Sequence, residues 1–217
     1  MTEQTQKLRI DFISDVVCPW CIIGYRQLEQ SLQNTGTDYE IHWQPFELNP
    51  QMPAEGQNLG EHIAEKYGAT PEQSRQNRAR LSDMGSELGF QFAFSDQSRM
   101  VNTFDAHRLI HWAETLGLGN DLKQALFAAY FTDQRDVSDA AVLIDIAENV
   151  GLDAVEAKAV LEEQRYAADV RQQENRWMQN NISGVPAVIF NNKHLITGAQ
   201  GVENYTNVLT QLAEMRD

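Results

Sequence analysis

Apolar and polar residues alternate along Leu8-Arg9-Ile10-Asp11-Phe12-Ile13-Ser14, with Ile10, Phe12 and Ser14 on one face and Asp11 and Ile13 on the other. A period of two predicts a buried strand. From Cys21 to Leu32 the period lengthens, and Ile22, Tyr25, Leu28 and Leu32 recur at helical spacing before the stop signals Asn34 and Gly36. Alternation returns over Tyr39 to Phe46, a second strand in which Pro45 limits inner pairing. The chain therefore opens strand, helix, strand, with a helix long enough for a parallel crossover.

Residues 51–182 read as almost wholly helical. Thr70-Pro71-Glu72-Gln73 is a helix start, with Thr70 as cap, Pro71 in the first turn and Gln73 closing a capping box. That helix continues through Leu81, Met84 and Leu88 to Gly89, and Phe90, Phe92 and Phe94 alternate in a short extended piece. Asn102 caps the next helix, and Ser138-Asp139 caps a later one. Then Ala187-Val188-Ile189-Phe190, an Asn191-Asn192 turn and His194-Leu195-Ile196-Thr197 predict a hairpin. An amphipathic helix from Val202 to Met215 closes the chain. The order β-α-β, helices, β-β-α predicts an α/β fold whose strands lie at residues 1–50 and 183–217, with 51–182 as an all-helical insertion.

An apolar fraction of 42% and an aromatic fraction of 9% suit a chain of 217 residues that buries a core. The formal net charge is −14, which repels phosphate backbones and anionic lipid headgroups. Nucleic acid and membranes are therefore not expected partners. Met1 to Lys7 lacks the basic and apolar run of a secretory signal, so a cytoplasmic protein is expected, as a monomer or homodimer.

Only two cysteines occur, and they stand three positions apart in Cys18-Pro19-Trp20-Cys21, where the first strand runs into the first helix. A bridge across so short a loop adds little stability, so the pair points to chemistry. At a helix N-terminus, free backbone N–H groups favour an anion, which predicts a lowered pKa and nucleophilic role for Cys18. Cys21, one turn later, is the resolving thiol. Pro19 suits the first helical turn, and Trp20 covers the sulfurs. The competing reading is half a zinc site completed by His107 and His111 at i, i+4 spacing, but no second cysteine pair exists and metal is not expected.

The cysteine motif after Asp11-Phe12-Ile13-Ser14-Asp15, together with Ser183-Gly184-Val185-Pro186-Ala187, resembles the DsbA family of thioredoxin-fold proteins. Pro45-Phe46-Glu47-Leu48-Asn49-Pro50 and Asn102 to Leu109 resemble its FrnE-type cytoplasmic branch. The resemblance implies a thioredoxin-like sheet flanked by helices, with the long helical insertion included. It implies Cys18 as nucleophile and a cis peptide bond at Pro186, so that Val185 and Pro186 bind substrate against the cysteines. It also admits His107 to the substrate groove, although a packed histidine is the simpler account.

The expected activity is thiol–disulfide exchange on protein disulfides or glutathione, with no bound cofactor beyond the cysteine couple and with reduction or isomerisation as its direction. The same family includes 2-hydroxychromene-2-carboxylate isomerases and kappa-class glutathione transferases, which carry Ser at the nucleophile position. A glutathione-dependent isomerase or transferase of a small aromatic substrate is therefore the rival reading, and a non-catalytic binder or chaperone is a third. Arg75, Arg78 and Arg80 read as a solvated helix face with some attraction for glutathione carboxylates.

Overall fold

A computed structural model describes residues 7–215. Strand β1 (Leu8–Ser14) leads into helix α1 (Pro19–Thr35) and strand β2 (Tyr39–Pro45). A two-residue strand, β3 (Gln57–Asn58), precedes α2 (Leu59–Tyr67) and α3 (Pro71–Glu87). Strand β4 (Arg99–Met100) is followed by α4 (Phe104–Thr115), α5 (Gly119–Phe131), α6 (Ala140–Asn149), α7 (Ala154–Glu162) and α8 (Ala167–Gln179). The chain ends with β5 (Ala187–Phe190), β6 (His194–Thr197) and α9 (Val202–Glu214).

Strands β2, β1, β5 and β6 form one sheet in that order. β1 runs parallel to β2, with Phe12 opposite Trp43, and antiparallel to β5, with Phe12 opposite Val188. The β-α-β and β-β-α units predicted from periodicity thus share one mixed sheet. Pro45 lies on the edge strand, where its missing N–H costs no ladder bond. The Asn191-Asn192 turn has φ of 51° and 57°, the paired positive values of a tight hairpin, which Asn tolerates.

Local signals in the intervening segment operate as read. The Thr70 hydroxyl accepts from Gln73 N at 3.2 Å, and the Gln73 side chain accepts from Thr70 N at 2.9 Å. Asn102 acts from one residue upstream of the cap position: its Oδ1 accepts from Phe104 N at 3.0 Å, and Thr103 is the residue at the cap. Residues 51–182 are largely helical, as expected, but not all-helical, because β3 and β4 form a small antiparallel ladder inside them. Two residues per strand are too few for a period of two to register.

The apolar core passes from sheet to helices without a break. Trp43 of β2 joins them: its ring centroid lies 4.9 Å from Phe12, 5.1 Å from Tyr25 of α1 and 6.0 Å from Phe127 of α5. Its indole N–H donates to Asn120 Oδ1 at 3.1 Å. Buried aromatic pairs add to area burial, so this cluster fixes α5 beneath the sheet. Glu47, just after β2, pairs with Arg171 of α8, whose guanidinium lies 3.8 Å from the Phe104 ring centre. These contacts hold the helical layer in place under the strand that leads to the cysteines.

Candidate active site

Cys18 occupies the N-cap of α1 and makes no side-chain capping bond. Pro19 fills the first helical position, whose missing N–H is an orphan in any helix. Cys21 N donates to Cys18 O at 3.0 Å, so the motif is the first turn of the helix. Cys18 and Cys21 lie 3.4 Å apart. Both cysteines are buried: Cys21 has no exposed surface, while Cys18, 3% exposed, forms part of the wall of an open cavity of about 770 Å³. Trp20 stands in the same cavity wall, with the Arg80 guanidinium 6.0 Å from its ring centre.

The cysteines meet the late segment at Val185-Pro186, whose peptide bond is cis. Cys18 Sγ donates to Val185 O at 3.8 Å, across 167 residues of sequence. Gly24 of α1 permits this approach: a Cβ there would come within 3.2 Å of Pro186 Cγ. Val185 also lines the cavity.

A buried charge cluster lies below the motif. Asp15, 1% exposed, accepts from Leu48 N at 2.7 Å and from His107 Nε2 at 3.3 Å. Burial pushes its carboxyl up, but the His107 bond and charge, the Leu48 amide and Lys123 outweigh burial, and the net direction is down. Lys123 of α5 is 1% exposed, with its ammonium 5.2 Å from the Trp43 ring centre and 4.8 Å from that of Phe127. Burial lowers its pKa from 10.5 to about 8, against the pull of Cys21, Asp15 and Cys18.

The dithiol does not sit in the environment expected for it. The Cys21 sulfur, burial and the Asp15 carboxylate push the Cys18 thiol well up. The expected depression of Cys18 fails in this closed dithiol form, because two sulfurs share one dry site above a carboxylate. The N-terminal amides of α1 and the Lys123 ammonium work in the opposite sense and support a thiolate.

Two other expectations also change. His107 is 2% exposed and bound to Asp15, so it lies beneath the cysteines and is not a groove residue. Arg78 is not solvated: its side chain is 16% exposed, its Nη1 donates to Ser74 Oγ at 3.2 Å, and it lines the cavity. Among the described residues, no three His, Cys, Asp or Glu side chains are grouped to hold a metal ion. Asp15, Lys123 and His62, another wall residue, went unread as site residues. Only Lys123 carried a signal, as a charge beside Leu122 with Leu126 and Phe127 following at i+3 and i+4, inside an apolar stripe.

A family model for the DsbA-like thioredoxin domain matches residues 9–210. The chain belongs to that family. It is 27% identical to the Bacillus subtilis (strain 168) protein YwbO over 205 residues, covering 94% of this chain and 96% of YwbO. A crystal structure of a probable DsbA oxidoreductase, SCO1869 of Streptomyces coelicolor, superposes with a TM-score of 0.87 at 32% identity, covering 94% of this chain and 89% of that one. The cytosolic disulfide reductase DsbM of Pseudomonas aeruginosa shares the fold, with a TM-score of 0.65 at 16% identity, covering 95% and 99% of the two chains. A 2-hydroxychromene-2-carboxylate isomerase shares it too, at 0.68 and 13%, covering 96% and 97%. DsbA-like membership makes the protein a redox enzyme by family. No helix among the described residues is long and apolar enough to cross a membrane.

The Lys123 environment has a measurable consequence. An unfolded lysine keeps its proton to about pH 10.5, whereas the folded one releases it near 8. Between those values the unfolded chain binds more protons, so folding stability rises with pH. Relative to Lys123→Met, the wild-type chain should gain up to about 3 kcal/mol from pH 8 to 10.5, with no difference in slope below 8. Urea denaturation across that range measures it, and parallel curves for the two proteins would refute the buried ammonium.

Proposed function

We propose that the protein is a dithiol thiol–disulfide oxidoreductase acting through the Cys18–Cys21 couple. The carrying observation is the asymmetry of the pair: Cys18 at the N-cap in a cavity wall, Cys21 sealed 3.4 Å away. Cys18 thiolate attacks a substrate disulfide, forming a mixed disulfide and releasing one substrate thiolate. Cys21 then attacks Cys18 Sγ, which releases the second thiolate and leaves Cys18–Cys21 oxidised. The substrate gains two electrons and the protein loses two. The exchange runs backwards equally well, and a cytoplasmic, reducing compartment favours reduction or isomerisation.

Protein disulfides are the first substrates to consider, with Val185 and Pro186 as the docking edge beside Cys18. Glutathione is the natural small co-substrate: DsbM, a cytosolic disulfide reductase of the same fold, is also solved with GSH. Retention of both cysteines favours this reading over a glutathione-dependent isomerase, which needs no resolving thiol. Insulin reduction by dithiothreitol tests it. The protein should accelerate precipitation of the insulin B chain, and Cys18→Ser should return the rate to the uncatalysed background. Acceleration that survives Cys18→Ser would count decisively against the proposal.

A further inference from the structure

His62 lies on α2, is 8% exposed, and belongs to the wall of the cavity that Cys18 and Trp20 also line. Two hydrogen bonds decide which of its nitrogens carries the proton. Gln57 donates its side-chain Nε2 to Glu65 Oε2 at 2.7 Å. Its amide oxygen is thereby turned to His62 Nδ1, at 2.9 Å. An amide oxygen only accepts, so Nδ1 carries the proton and Nε2 the lone pair. Burial and Lys66 hold the imidazole below its ordinary pKa, which keeps it neutral. Among the described residues no group donates to Nε2.

A histidine that merely packs needs no such chain. Ordering the Gln57 and Glu65 side chains costs conformational entropy. What that ordering secures is one acceptor of fixed sense in a wall otherwise rich in apolar and aromatic groups such as Leu81, Phe94 and Tyr67. Nε2 is not sealed in the interior, so a ligand in the cavity that brings an N–H or O–H can donate to it. A cavity of about 770 Å³ is the right size for a small organic molecule.

We propose that His62 determines specificity in the Cys18 cavity. The cavity takes small disulfides, or the thiols derived from them, with an aromatic or apolar body and one hydrogen-bond donor for His62 Nε2. This rests on the oxidoreductase reading above. The reaction is the same exchange: Cys18 attacks one sulfur of the small disulfide, Cys21 closes the protein disulfide, and two thiolates leave.

The test is single-turnover reduction of bis(4-hydroxyphenyl) disulfide and bis(4-methoxyphenyl) disulfide by the reduced full-length protein. The probes share the aryl disulfide and the para oxygen, but only the first donates a hydrogen bond. Their reaction with dithiothreitol gives the intrinsic ratio of reactivities. Relative to that ratio, the wild-type protein should favour the hydroxyl probe by about 10-fold in second-order rate constant. His62→Phe should fall back to the dithiothreitol ratio, and His62→Gln, which keeps an acceptor, should retain part of the preference. The ratio is internal to each variant, so a loss of folded protein that lowers both rates leaves it unchanged. Should His62→Phe not fold at all, the wild-type and His62→Gln ratios decide. A wild-type ratio equal to that of dithiothreitol, or a preference that survives His62→Phe, overturns the role of His62. If both probes stay inert, or each releases only one thiolate, it is the oxidoreductase reading that fails, and this inference with it.

Discussion

Cys21→Ala should convert the protein into a trap that holds its substrates as covalent mixed disulfides through Cys18. The reasoning follows the positions of the two sulfurs. Cys18 lines the cavity and faces Val185 O, where an incoming disulfide can reach it, whereas Cys21 lies behind it in the core. Attack at Cys18 therefore does not need Cys21, but release does. With both present, the resolving thiol is held 3.4 Å away, and an intramolecular nucleophile so placed acts at a very high effective concentration. Removing it leaves resolution to external thiols, and the lifetime of the mixed disulfide should rise by at least about 10³-fold. Non-reducing electrophoresis of the alkylated variant, followed by mass spectrometry, reads the adducts. Cys18→Ala should form none. If Cys18→Ala traps and Cys21→Ala does not, the roles of the two sulfurs are reversed and the helix N-cap is not what makes the nucleophile.

The geometry on which that expectation rests was legible in the sequence because everything that defines it is local. A strand period ends, two cysteines follow at one-turn spacing, and a proline occupies the first helical position. The capping box at Thr70 and the Asn191-Asn192 turn were legible for the same reason. The buried cluster was not. Asp15 and His107 are 92 residues apart, and Lys123 comes from a further helix that packs beneath the sheet through contacts such as Phe127 against Trp43. No periodicity encodes that meeting. The same limit explains the error over the Cys18 pKa. The helix N-terminus is visible in sequence and favours a thiolate, while the burial and the Asp15 carboxylate that oppose it exist only after folding. His107 was read as a groove surface because the sequence does not tell a ring that lines the cavity from one buried against Asp15. The cavity itself arises between α2, α3 and the motif, from residues spread between Val17 and Val185.

The structural counterpart of the cysteine prediction concerns Arg108, which has no exposed surface and is the bulkiest of the fully buried side chains. Its guanidinium is shared between the end of another helix and Asp105 of its own. Nη1 donates to Val160 O at 2.7 Å and Nη2 to Leu161 O at 3.3 Å, which are carbonyls at the C-terminal end of α7. Nε and Nη2 both donate to Asp105 Oδ1, at 3.1 and 2.6 Å. Helix ends leave carbonyls unpaired, and a positive charge there meets both their hydrogen-bonding need and the negative end of the dipole. Arg108→Leu would remove the charge and the guanidinium bonds to α7 and Asp105, while Val160 O and Leu161 O keep the backbone N–H groups of Arg165 and Gln164, at 3.1 and 3.4 Å, and the partly exposed Asp105 carboxylate turns to solvent. The expected cost is about 2–3 kcal/mol, the range for lost hydrogen bonds to a charged group. For a chain of this length that corresponds to a fall in Tm of about 5–10 °C. Arg108→Lys separates charge from geometry: it keeps the cation but loses the planar fork, so it should recover only part of the loss. Thermal denaturation of the three proteins measures both effects. A Lys variant as stable as wild type would show that charge alone holds α4 against α7, and a Leu variant within about 1 kcal/mol of wild type would show that the guanidinium bonds add nothing to the backbone pairing of those carbonyls. The helix so anchored is the one that carries His107 to Asp15, so loss of Arg108 should also disturb the floor of the cysteine site, 90 residues upstream in sequence.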